Sequence, residues 1–467
     1  MRGSLIGAVV ACVVSTTCAA NRPMSPASPI RPATRVVPRV TTKPHPECRP
    51  SRGAAREALW AALESDPWLT SGEPTLTEIT WMRRMVVQVN DQYFDSRRID
   101  PSRMLAAMFR ALADRSDGFL RVESDHLLTS TGARWRMPVA DTIWQVPLAI
   151  RDFGYFLLGK LPPGHRLAKG PFAEVVMTNA MLATLDSYSV LLSPKVWAGL
   201  REPLSAEPVP ARSGPPATGG SLPVASSVGL NARAVLVVHP GWLGRTSAKK
   251  IRDVVERASA TSVPGVVLDL RGNRGGLMEA ALEIADLFLA KGTVLTMNAK
   301  SSSEATTATD DGLASERIKL IVLVDTLTSS AAEILAGALR FGDRGLLLGE
   351  NTSGDGLIQV VYDFRNRDST DIPGLKLSIA EALLPGDRSF DGRGIAPDVE
   401  MTSNPQAHEA TAGACAPVGE TLATIRIQPG QEDPVLAFAE RILRTSATGS
   451  RMDLLAAAKT AAASSPE

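Results

Sequence analysis

Histidine, cysteine and aromatic side chains are scarce in this chain, and so is any surplus of charge of one sign. There are five histidines and four cysteines among 467 residues, with no Cys/His spacing pattern, which predicts neither a metal site nor a cofactor. Cys12 and Cys18 lie in the first twenty residues. That leaves Cys48 and Cys415, both in loop-like sequence, free to pair in an oxidising compartment or to stay as thiols. A formal net charge of +1 lacks the basic surplus that a nucleic-acid partner normally demands. Beyond the N-terminus no run approaches the roughly 18 consecutive apolar residues of a membrane-spanning helix.

What is present begins with a leader. Arg2 precedes an apolar stretch from Leu5 to Val14, and small residues follow, ending Cys18-Ala19-Ala20. That order is the n-region, h-region and cleavage site of a secretory signal peptide. Cleavage after Ala20 would release a soluble protein into the periplasm or envelope. Cleavage before Cys18 would leave a lipid anchor, although Ser15-Thr16-Thr17 fits that pattern poorly. Residues 21–50, rich in Pro, Ser, Thr and Arg, suit a tether or a disordered leader.

From Ala54 to about Pro194 the pattern is mainly helical and predicts a domain over 51–198. Ile79, Met82, Val86, Val89 and Tyr93 form one apolar stripe. Asp100-Pro101 caps a helix with Met104, Leu105, Met108, Phe109 and Leu112 inward. Residues 171–185 form another helix, ending in Leu185-Asp186-Ser187-Tyr188-Ser189. Between them, 118–164 is less regular, and its Trp135 and Trp144 are expected to serve core and interface packing. A Pro/Ser/Gly/Ala linker occupies 199–232. Strands then alternate with helices from Ala234 to Leu348, which predicts βαβ crossovers and a largely parallel sheet. From Tyr362 to Val399 the pattern is β-like, with turns at 385–387 and 391–394. Asp433-Pro434 opens a helix to Arg444, and an Ala-rich helix from about Met452 closes a C-terminal segment, 403–467.

Two loops in the αβ region should meet at the carboxyl ends of adjacent strands, where such sheets bind ligands. One is Arg271-Gly272-Asn273-Arg274-Gly275-Gly276. The other follows the apolar run Leu320 to Val324 and carries Ser330, with Glu333 three residues later. Alone, Ser330 reads as a helix cap, and the glycines as a tight turn. Together they admit a second reading: a nucleophile whose oxyanion would face the Ala331 N–H and the helix dipole.

Several ordered motifs favour that reading. Asp269-Leu270-Arg271-Gly272-Asn273-Arg274-Gly275-Gly276-Leu277 resembles the D-L-R-x-N-x-G-G-L signature of the C-terminal processing, or tail-specific, peptidases. Ser329-Ser330-Ala331-Ala332-Glu333-Ile334 is similar to their nucleophile segment. Gly349 to Gly356 resembles their G-E-x-T-x-G-K-G segment. Leu375-Lys376-Leu377 and Gly392 to Val399 resemble later motifs, and Leu185 to Ser189 resembles the L-D-P-x-S that ends their helical region. The resemblance implies an α/β, crotonase-like core over 233–402 behind a helical N-terminal domain. It also implies export across the inner membrane, protein or peptide substrates, and a Ser-Lys dyad that cuts near protein C-termini. Residue by residue, Ser330 takes the nucleophile's place, Ala331 with Gly275 or Gly276 the oxyanion hole, and Gln359 a glutamine near the dyad lysine.

Three departures bear on activity. The lysine position holds Asp355, a weak base at its reference pKa of about 3.9 and a charge that opposes an oxyanion. Tyr188 stands where some distant relatives carry a histidine base. The stretch from Pro194 to Arg233 is too short for the family's PDZ domain, since a domain usually needs at least about 50 residues. His239, after the strand ending at Val238, is the candidate replacement base, against an ordinary exposed histidine. Lys376 is expected to be structural. The expected function is a serine-type peptidase acting on envelope proteins, or an inactive relative that binds protein tails or acts as a scaffold.

Overall fold

The computed structural model describes residues 81–169, 171–198, 235–260, 263–310, 318–364, 373–402 and 433–463, with short pieces at 8–11, 63, 66–70, 77, 79, 227–230 and 423–426. The Cys48–Cys415 pairing, the 21–50 stretch and nearly all of the leader and the 199–232 linker fall outside these residues.

Among the described residues four α-helices build the N-terminal region: α1 (Met82–Gln92), α2 (Pro101–Asp114), α3 (Gln145–Leu157) and α4 (Phe172–Ala183). The expected stripe on α1 is buried, but its first member, Ile79, precedes the helix. The start is set from a distance: Glu174 of α4 accepts the Trp81 and Met82 N–H groups on one carboxylate oxygen, at 2.6 and 2.8 Å. A tertiary carboxylate thus does the work of a local N-cap. On α2 the cap is local, with Asp100 accepting from Arg103 N at 2.9 Å.

The irregular stretch 118–164 contains α3 and a three-stranded antiparallel sheet, β1 (Leu120–Glu123), β2 (His126–Thr129) and β3 (Arg134–Arg136). Trp135 packs as expected, its ring 5.0 Å from Phe109 and 4.9 Å from Phe153. Trp144 does not: it is half exposed. After α4 comes β4 (Val190–Leu192).

The expectation of one largely parallel sheet holds for half of the core. The parallel half is built from β5 (Leu236–His239), helix α5 (Ser247–Ala260), β6 (Val266–Asp269) and helix α6 (Met278–Asp286). A hairpin with no counterpart in the sequence reading interrupts it, β7 (Thr293–Ala299) and β8 (Ser303–Thr307). The parallel elements resume with β9 (Leu320–Val324), helix α7 (Ala331–Phe341) and β10 (Leu346–Gly349). Next come β11 (Leu357–Asp363), β12 (Gly374–Leu384), β13 (Arg388–Ser389), β14 (Val399–Thr402), β15 (Ala423–Arg426), α8 (Pro434–Thr445) and α9 (Arg451–Ala463). One sheet runs β15-β14-β10-β9-β6-β5, parallel throughout. The other runs β11-β12-β7-β8, antiparallel, with β4 and β13 also on β12. Four-residue strands at 8–11 and 227–230 add to the outer edges of β11 and β5.

The unbroken run of β9 is explained by burial on both faces. Leu320, Val322 and Val324 join the core shared with α5, α6, α7 and the antiparallel sheet, whereas Ile321 and Leu323 face α8 and α9. The outer face of the antiparallel sheet, through Val360, Tyr362, Leu375 and Leu377, receives the N-terminal helices. Buried Asp398 pins α9 to the core: it pairs with Arg340 of α7 at 2.9 Å and Arg451 of α9 at 2.5 Å, and accepts Leu347 N at 2.9 Å.

Candidate active site

Ser330 stands where β9 hands over to α7, fully buried at the helix N-terminus. Its backbone has φ 59° and ψ −123°, a region costly for any residue with a Cβ, by about 1–3 kcal/mol. Asp325 shapes the approach by accepting from Leu327 N and Thr328 N and from Gly272 N of the glycine loop. The turn is thereby fastened to its neighbour before the serine is reached.

The glycine loop presses against this turn. Ser329 N donates to Asn273 O at 3.0 Å, and a Cβ placed on Gly275 would sit 3.0 Å from Ala331 N and 3.1 Å from Ser330 Cβ. Only a residue without a side chain approaches so closely. Gly275 N donates to Asn273 Oδ1 at 2.9 Å. Gly276 has φ 148°, and a Cβ there would overlap the Leu243 main chain, with which it forms a bridge.

Glu333 binds the site together. This wholly buried carboxylate accepts Ser330 N (2.9 Å) and Asp355 N (2.8 Å) on Oε2, and Gly354 N (2.7 Å) and Thr352 Oγ1 (2.5 Å) on Oε1. Burial pushes its pKa up, against the four donors that pull it down. The main chains of Ser330 and Asp355 are therefore one carboxylate oxygen apart. Ser353 N donates to Thr328 O and Glu350 N to Val324 O, which closes the 350–356 loop onto the nucleophile turn. Glu333 has no role in the sequence reading beyond a capping partner; its link to the loop some twenty residues on depends on the tertiary fold.

Asp355 itself is 2% exposed. Gln359 is buried on β11 and donates to Leu357 O at 2.5 Å. Tyr188 reaches the same loop from the N-terminal region, its hydroxyl donating to Gly354 O at 3.3 Å. Asp186 holds it there by accepting Tyr188 N, Ser189 N and Ser189 Oγ within 2.7 Å. That explains the Asp and Ser of the Leu185-to-Ser189 motif.

The alternative basic side chains are placed elsewhere. His239 ends β5, two strands from β9 and so about 10 Å across the sheet. Its Nδ1 lies 3.4 Å from Asp269 Oδ2. Asp269 is also gripped by Arg271, which reaches on to Asp433 at the start of α8. Lys376 pairs in register with Val361, four positions beyond Leu357 on β11, ~13 Å further along the strand. Among the described residues no group of three or more His, Cys, Asp or Glu side chains is arranged to hold a metal ion.

A serine in a strained strand-to-helix turn, backed by glycines at the carboxyl ends of parallel strands, is a geometry that can present a nucleophile to a bound ligand. The sequence profile of peptidase family S41 matches residues 235–401, the span of the αβ core. A carboxyl-terminal-processing protease of Synechocystis sp. is 36% identical over 158 residues, 34% of this chain and 35% of the relative. Carboxyl-terminal-processing peptidase 1, chloroplastic, of Arabidopsis thaliana is 40% identical over 133 residues, 28% and 26%. The solved photosystem II D1 C-terminal processing protease is 20% identical, covering 69% of this chain and 93% of its own, with a TM-score of 0.43. The chain spans about a third or less of the length of these curated relatives.

Proposed function

We propose that the core is a serine-type peptidase site of the C-terminal processing class, with Ser330 as nucleophile. The Ala331 and Gly276 N–H groups are its oxyanion donors, because Gly275 N–H is engaged by Asn273. The observation that carries this reading is the conformation of Ser330. A glycine would adopt φ 59° at less cost, so a serine kept there points to use of its hydroxyl. In the reaction Ser330 Oγ attacks the scissile carbonyl and gives its proton to a solvent water. The tetrahedral oxyanion faces the two N–H groups and the α7 N-terminus, and its collapse breaks the C–N bond as the departing amine takes up a proton.

Asp355 is the weak point of the cycle. A lysine there would take the serine proton and then leave a positive charge beside the oxyanion; an aspartate has no positive charge to leave there. Turnover is therefore slow, resting on the oxyanion frame. The same substitution favours a second reading, a silent relative that binds protein tails. We place the protein in the envelope or periplasm, behind a leader at 1–20 that leaves either a free N-terminus or a lipid anchor, with protein or peptide substrates. The helical domain spans 51–198, the linker replacing a PDZ domain 199–232, the core 233–402 and the C-terminal segment 403–467.

Digestion of an unfolded protein separates these readings. Cleavage lost in Ser330→Ala supports the peptidase; cleavage that survives Ser330→Ala removes the nucleophile. No cleavage by the wild type, with activity gained in Asp355→Lys, favours the silent relative.

A further inference from the structure

Helix α3 is apolar on both sides. Val146, Ile150, Phe153 and Leu157 enter the N-terminal core, as an amphipathic helix requires. On the opposite side Trp144, Leu148, Tyr155 and Leu158 are 48–58% exposed, and at about 100° per residue they share an arc of about 80°. With Val139 just upstream, they make up five of the eight large hydrophobic side chains exposed among the described residues. Scattered exposed hydrophobics need no explanation; this concentration on one helix does. Trp135 and its ring contacts account for the inner aromatic cluster, and nothing in the candidate active site uses the outer one.

We propose that the outer face of α3 docks on the surface of an anionic lipid bilayer. Three observations select a bilayer. The stripe pairs leucines with Trp and Tyr, whose rings are apolar with a polar edge and suit the headgroup boundary. Arg151 lies within the same arc and is half-buried against Asp152, a position from which its guanidinium can reach headgroup phosphates while its stem stays among the apolar side chains. Across 134–160 the cations Arg134, Arg136, Arg151 and Lys160 face the acids Asp141 and Asp152 and the Asp125 that pairs with Arg136, a surplus of one cation of the sign that suits an anionic surface. The leader read from Arg2 to Ala20 would deliver the chain to a membrane-bounded compartment. The helix lies on the bilayer and does not cross it: no helix among the described residues is long and apolar enough to span.

The test is co-sedimentation of the exported full chain, carrying Cys18→Ser to remove any lipid anchor, with vesicles of phosphatidylethanolamine and phosphatidylglycerol. The expected result is binding that falls roughly tenfold or more in the Trp144→Gln, Leu148→Gln, Tyr155→Gln, Leu158→Gln combination, with a cooperative melting curve that shows the variant to be folded. Arg151→Glu, which leaves the apolar stripe intact, weakens binding as well and serves if the combined variant does not fold. A wild type that stays in the supernatant, or equal binding by wild type and both variants, overturns the proposal. So does a wild type that ignores vesicles and forms a dimer which the glutamine variant breaks; that result assigns the face to a second copy of the chain.

Discussion

Replacing Ser330 by glycine and by alanine separates backbone strain from loss of the hydroxyl. Both substitutions remove the nucleophile and the cap oxygen, so those effects cancel in the comparison. What differs is the Cβ at φ 59° and ψ −123°. Alanine retains a conformational cost of about 1–3 kcal/mol, which glycine largely escapes. Against this, glycine loses more backbone entropy on folding, about 0.5–1 kcal/mol. The glycine variant should therefore be the more stable of the two, by about 1 kcal/mol at the centre of a span of about 0–2.5 kcal/mol. Paired denaturant or thermal unfolding under one condition measures the difference directly, without an absolute stability for a chain of several domains. An alanine variant as stable as the glycine one would refute the strain, and with it the observation on which the peptidase reading rests. Both variants should lack proteolysis.

Other perturbations bear on the frame around the serine. Asp398→Ala should destabilise by about 3–5 kcal/mol, because it strands the buried Arg340 guanidinium; a smaller shift in denaturant midpoint would mean that the arginines find other partners. Gly276→Ala should abolish labelling by a serine-reactive probe, since its Cβ meets the Leu243 main chain, whereas Gly272→Ala meets nothing and should be tolerated better. Equal labelling in both would remove Gly276 from the site. Acid should loosen α8. Burial raises the Asp433 carboxyl, but bonding to Arg271 outweighs it and holds the group below its usual range. The tie is therefore complete above the unfolded value of about 3.9 and is lost as pH falls through the lower folded value. Protection factors of the α8 amides, corrected for intrinsic exchange and followed from about pH 6 down through the range below about 3.9, check this against Asp433→Asn; protection that does not change with pH would refute it.

The parallel half of the core was legible because its signals are local. An unbroken apolar run marks β9, a polar turn follows, and an Ala/Leu helix begins at Ser330, so that strand, turn and helix are read in one pass. The hairpin of β7 and β8 escaped since Thr293–Ala299 carries polar residues at three of its seven positions without strict alternation and is only partly buried. Trp144 misled because an aromatic residue is usually buried, and nothing nearby states which face of α3 it occupies. At the site, the glycine loop and serine were found through motifs. The Glu333 hub, the reach of Tyr188 to Gly354 and the capture of His239 by Asp269 depend on pairs distant in sequence. Period and propensity say nothing about such pairs.

Glu333 has a consequence for how this site could change over time. The 350–356 loop is held by main-chain N–H groups of Gly354 and Asp355 and by the Thr352 hydroxyl, all gathered on one carboxylate. None of those bonds uses the side chain at position 355. The scaffold therefore constrains where that side chain starts and leaves its chemistry open, so a base could be exchanged or lost without the loop collapsing. Reversal would be equally cheap. A lineage could pass between cutting and merely holding a polypeptide tail through one residue, with the architecture as a bystander.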